Sequence, residues 1–140
     1  MKLPRLALPK RTAALVIALT AALGTSVVGA TAAHADVYNS CTLSTCADGA
    51  TAVSTWESLG DPTSRGWYNL PDGECSYAGG EYYNDDGQLP NGDTYYEYDV
   101  YPRSCGAHRD AYRIIHDIDA DVWYFSPDHY SDFYLLSTAS

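Results

Sequence analysis

The chain has 140 residues, with 18 acidic against 8 basic side chains, a formal charge of −10, and 13 tyrosines. Four of the basic residues precede Asp36, so residues 36–140 hold four positive charges against 18 negative ones, a net of −14, and contain no lysine. That balance excludes a broad basic face for nucleic acid, and it repels anionic surfaces unless Arg65, Arg103, Arg109 and Arg113 are gathered in one place.

At the N-terminus Lys2, Arg5, Lys10 and Arg11 precede an apolar run from Ala13 to Ala22, and small residues follow up to Ala33-His34-Ala35. This is the pattern of a secretory signal peptide over residues 1–35, cleaved before Asp36. The apolar run is interrupted by Gly24, Thr25 and Ser26, which leaves it too short for a membrane span. A secreted, extracellular protein with no membrane partner is expected. Residues 36–140 have the length of a single domain. Export to an oxidising compartment and the even set Cys41, Cys46, Cys75 and Cys105 predict two disulfides, with all three pairings open.

From Asp48 to Leu59 the apolar residues Ala52, Val53, Trp56 and Leu59 fall at helical spacing, with Asp48 placed as N-cap and Gly60 just past the end. Turn formers then punctuate the chain at Asp61-Pro62, Pro71-Asp72-Gly73, Gly79-Gly80, Asp86-Gly87 and Pro90-Asn91-Gly92. Between them lie tyrosine-rich or β-branched runs that read as antiparallel strands, most clearly residues 94–101, 111–117, 122–125 and 132–136. The fold class is α+β, with one N-terminal helix packed on a twisted antiparallel sheet. Most of the tyrosines serve packing, since phenol rings suit half-buried strand positions. Asp117, Asp119 and Asp121 alternate like the start of a calcium loop. However, Val122 stands where such a loop needs glycine and Asp128 where it needs glutamate, so a solvated acidic hairpin is expected.

Strand alternation puts Tyr95, Glu97, Asp99 and Tyr101 on one face, and Arg113 on one face with Ile115, with Arg109 at the same parity. Singly, such residues are surface ions or ion pairs. Three blocks together say more: Tyr95-Tyr96-Glu97-Tyr98, Arg109 followed by Arg113-Ile114-Ile115, and Asp128-His129-Tyr130 before Phe133. In order and spacing they resemble the small secreted guanyl-specific ribonucleases of filamentous bacteria and fungi, within the barnase superfamily. The resemblance implies the microbial ribonuclease fold, cleavage of single-stranded RNA after guanosine, and a 2′,3′-cyclic phosphate intermediate. It implies Glu97 as general base, His129 as general acid and Arg113 as the catalytic cation, with Arg109 and Tyr130 on the phosphate.

The segment Tyr82-Tyr83-Asn84-Asp85-Asp86-Gly87 resembles the family's guanine loop. There Tyr82 would stack on the base, Asn84 and Asp85 would offer backbone donors, and Asp86 stands where the family has a longer glutamate. No cofactor and no metal are implied, because RNA brings its own 2′-hydroxyl nucleophile and the protein need supply only a base, an acid and charge. A monomer acting on RNA is expected. A small acidic inhibitor protein is a further candidate partner, although four arginines give it few anchors. Asp110 after Arg109, where glycine is common, and the lack of a C-terminal cysteine depart from the family pattern. The rival reading is a secreted, non-catalytic binding or toxin-like module on the same fold, and RNA turnover separates the two.

Overall fold

The computed structural model describes residues 36–136, and the expected signal peptide over residues 1–35 lies outside them. One seven-stranded sheet runs in the order β1-β7-β6-β5-β4-β3-β2, with strands β1 (Val37–Tyr38), β2 (Gly66–Asn69), β3 (Cys75–Tyr82), β4 (Tyr95–Asp99), β5 (Arg113–Asp117), β6 (Val122–Ser126) and β7 (Phe133–Leu136). The single helix, α1, spans Cys46–Ser58. Class and helix position agree with the sequence pattern, but the sheet is mixed. β1 pairs with β7 in parallel, through Val37 and Phe133, while every other pair is antiparallel. The two-residue β1 is too short to show a strand signature. It is held by the Phe133 amide donating to the Asp36 carbonyl at 2.9 Å and by the Asp132 carboxylate on the Asp36 amide at 3.1 Å.

Helix α1 also starts earlier than its spacing suggests. Thr45 stands at the N-cap with no side-chain bond, while Asp48, expected as the cap, accepts instead from the Tyr101 hydroxyl at 2.7 Å. Its apolar stripe, Ala52 and Trp56, packs on one face of the sheet against Tyr98, Ile114, Trp123, Phe125 and Leu136. Trp56 is almost fully buried, and its indole donates to the Asp99 carbonyl at 2.9 Å. Side chains of that size are worth about 3–5 kcal/mol against truncation, so this contact anchors the helix. The approach is close at Gly49, where an added Cβ would lie 3.0 Å from the Phe125 ring.

Gly79-Gly80, expected to turn, lies inside β3. The pairing with β4 shifts register between Ala78 and Gly80, and Gly79 has a φ of +82°, so the glycines make a bulge that bends the strand rather than ending it. The disulfides are Cys41–Cys46, beside the start of α1, and Cys75–Cys105, which ties β3 to the loop before β5. Among the described residues no helix is long and apolar enough to cross a membrane.

Period-two alternation decides the rest. The face of β4 and β5 opposite the helix carries Tyr95, Glu97 and Asp99 beside Asp117, Ile115 and Arg113, paired in that order. Its smaller apolar cluster, Leu89, Tyr95, Ile115, Tyr124 and Phe133, forms the floor beneath two loops. One loop follows β3 and the other joins β6 to β7.

Candidate active site

Strand geometry fixes the position of Glu97. It lies opposite Ile115 in mid-strand and is 8% exposed. Its Oε2 accepts a hydrogen bond from the Tyr130 hydroxyl, and its Oε1 lies 3.5 Å from Nη1 of Arg109. Two residues along, Asp99 is fully buried and opposite Arg113. Its Oδ1 accepts from Nε and Nη2 of Arg109 at 2.9 and 2.6 Å and lies 3.2 Å from Nη1 of Arg113. Asp110 adds a second carboxylate, 2.6 Å from Nη2 of Arg103 and 3.6 Å from Nη1 of Arg113. The Arg109 guanidinium also lies 4.3 Å above the centre of the Tyr77 ring.

Burial opposes the charge of both arginines. For Arg109, the Asp99 hydrogen bond and charge outweigh that cost and its pKa is raised; for the deeper Arg113, burial prevails over Asp99 and its pKa is lowered. Starting from an arginine's intrinsic value, both stay cationic at neutral pH. Three of the four arginines of residues 36–140 therefore meet here, but so do Glu97, Asp99 and Asp110. The local balance is neutral rather than cationic, within a chain that is strongly acidic elsewhere.

The loop carrying His129 and Tyr130 holds a conformation that L-residues rarely adopt. Their φ values are +57° and +70°, which costs energy unless the surroundings impose it. The surroundings do so through hydrogen bonds. The His129 amide donates to the Ala111 carbonyl at 2.9 Å, the Tyr130 amide to the Ser126 hydroxyl at 2.8 Å, and the Asp132 amide to Asp128 Oδ1 at 2.9 Å. Asp128 is thus a loop brace, and its neighbour His129 is left exposed.

On the other side, Asn84 sits at φ +50° and closes its own loop. Its side chain donates to the Leu89 carbonyl at 2.9 Å and accepts from the Leu89 amide at 3.0 Å. Tyr82 stacks on Tyr130 with ring centres 4.9 Å apart. Burial, with the charges of Asp86 and Asp85, pushes its hydroxyl up to about 12. Tyr83 is 70% exposed, and neither the Asp85 nor the Asp86 carboxylate has a hydrogen-bond partner among the described residues.

Two clefts result. One of about 550 Å³ is bounded by residues 81–86, Gln88 and residues 129–132. The other, of about 520 Å³, is bounded by His108, Arg109, Asp110, Ala111, Arg113 and His129. They meet at His129. Every residue expected at the site borders one cleft or the other, except Glu97, which lies below them under the Tyr130 hydroxyl.

A family model described as ribonuclease matches residues 31–137. The chain belongs to the ribonuclease family. No curated protein and no solved structure matches it. Membership assigns this ribonuclease an RNA-cleaving role and RNA as its substrate.

Spacing alone put Asp99 on the Glu97 face without showing that it would be the hub of the arginines. The available signal was an acid at a position whose neighbours on both strands are buried. Asp128 and Asn84 stood inside motifs, yet their side chains hold backbone here, a role that a motif does not disclose.

Proposed function

We propose that this ribonuclease is a secreted, extracellular endonuclease that cuts single-stranded RNA after guanosine by metal-independent acid-base catalysis. The observation that carries the proposal is the junction of the two clefts at His129, with a base-sized cleft on one side, two arginines on the other and Glu97 beneath. A guanosine seated against Tyr82 would bring its 3′ phosphate over that junction.

Glu97 removes the proton of the ribose 2′-hydroxyl, whose oxygen attacks phosphorus. Arg113 and Arg109 offset the charge that grows on the non-bridging oxygens, where planar guanidinium groups can bind two at once. Tyr130, already donating to Glu97, turns its hydroxyl between base and phosphate. His129 protonates the departing 5′ oxygen, leaving a 2′,3′-cyclic phosphate, and the roles reverse when water opens the ring. One group must be ionised and the other protonated, so a bell-shaped pH–rate profile follows. The exposed Asp86 carboxylate would accept from the guanine N1 and amino group, while the loop amides near Asn84 and Asp85 would donate to its O6 and N7. Its shorter reach predicts a weaker guanine preference than a glutamate gives. A monomeric domain of residues 36–140, freed from the signal peptide, suffices for this chemistry.

Purified protein, incubated with RNA in chelator, should yield fragments ending in guanosine 2′,3′-cyclic phosphate. Glu97→Gln and His129→Gln should each lose at least about 100-fold in kcat/KM, the usual share of a general acid or base. Full activity in either variant would overturn the assignment. Intact RNA with the wild-type protein would favour a non-catalytic module.

A further inference from the structure

The turn between β5 and β6 brings acids together in a way that the local spacing of Asp117, Asp119 and Asp121 does not convey. Asp121 turns away and meets His116, with 3.3 Å between Oδ1 and Nε2. Its place is taken by Asp93, from the segment before β4. One carboxylate oxygen from each of Asp93, Asp117 and Asp119 lies within 4.8 Å of the others. Oxygens held 2.3–2.6 Å from one calcium ion can stand no further apart than about 5 Å, so the three fit a single ion.

Asp117 adds an independent sign. It is fully buried, and its Oδ1 accepts from the amides of Asp119 and Ala120 at 3.1 and 3.0 Å, whereas its buried Oδ2 has no hydrogen-bond partner. A buried carboxylate oxygen without a donor is costly unless a cation faces it. Among the described residues no arginine or histidine nitrogen lies within 4.0 Å of any of the three acids. The frame is already built, with the Thr94 amide donating to Asp119 Oδ2 at 2.6 Å and the Ile118 amide to the Thr94 carbonyl at 3.1 Å.

We propose that Asp93, Asp117 and Asp119 form a structural calcium site, which pins the segment before β4 to the β5–β6 turn. Hard oxygen donors of high charge select calcium over softer metals, and water would complete its shell of six to eight ligands. The ion lies at the Tyr95 end of the strands that carry Glu97, so it steadies the floor of the site and takes no part in the chemistry. It is independent of the proposed acid-base pair, because its test reads binding and melting, not cleavage.

Calcium titration of chelator-stripped protein in 0.15 M NaCl should give one saturable site per chain, with a Kd on the order of 0.1–1 mM. Calcium at 10 mM, against NaCl of equal ionic strength, should raise Tm by about 7–14 °C. Asp93→Asn should abolish most of that rise. In chelator it should melt no lower than the wild type, because it removes mutual repulsion, and so the stability order inverts between the two conditions. Glu57→Gln, an equal change of charge on the exposed helix face, should keep the full rise. A rise of equal size in both variants, or none in the wild type, would overturn the site.

Discussion

Asp99 shows how one carboxylate can organise a site that it does not enter. It is inaccessible to solvent, it lies under Arg109 and Arg113, and its own carbonyl is tied to Trp56 on the far side of the sheet. The helix core and the arginine cluster therefore share this strand position. Replacing Asp99 with Asn keeps the shape but leaves Arg113, whose side chain is 4% exposed, without its principal counter-charge. Breaking a buried pair from one side costs about 3–5 kcal/mol, mostly for the charge left behind. Asp110, 3.6 Å from the same guanidinium, offsets part of this, so the lower end applies. Urea unfolding at pH 7 should show Asp99→Asn less stable by about 3 kcal/mol. A loss under 1 kcal/mol would mean that water, not Asp99, compensates Arg113.

At the scale of elements, the sequence disclosed what depends on period and missed what depends on pairing. Helix α1 follows from its apolar spacing, and strands β4 to β7 follow from tyrosine-rich or β-branched runs set between turn formers. β1 and the Gly79-Gly80 bulge could not be read in that way: two residues have no period, and a glycine pair looks the same in a bulge as in a turn. The candidate residues were legible as motifs. Their convergence was not, because it depends on which strand pairs with which and on loops held by side chains.

The Asn84 loop is the clearest case. Its motif suggested a base-reading segment, and the structure adds the physical reason for asparagine: a left-handed backbone and two bonds to Leu89. Alanine there would lose both bonds, each worth about 0.5–1.5 kcal/mol. The loop should then sample open forms while Glu97 and His129 keep their places. Asn84→Ala should raise KM for a guanosine dinucleotide about tenfold with kcat changed far less, the signature of lost substrate binding. An equal fall in kcat would instead tie the loop to the chemical step.

For the molecule as a whole, charge governs. Residues 36–140 carry a net charge of −14, whose self-repulsion at neutral pH works against the compact state. Two carboxyls are pushed up from 3.8 in the folded chain: Asp61 by burial, partly offset by His116 and reinforced by Asp121, and Asp93 by burial, then the charge of and hydrogen bond with Asp117, then Asp119. An acid whose folded pKa is raised binds protons more readily when folded than unfolded, so stability grows as pH falls through that folded value. The gain is complete below the unfolded value near 3.8. That trend, together with the relief of self-repulsion, makes the folded chain more stable on the acid side of neutrality. In calcium-free buffer the Tm at pH 5 should exceed that at pH 7.5. Added NaCl should narrow the gap by screening the repulsion. Thermal melts from pH 3 to 8 test this, and a Tm that peaks at or above pH 7 would show that the paired carboxylates outweigh the crowded ones.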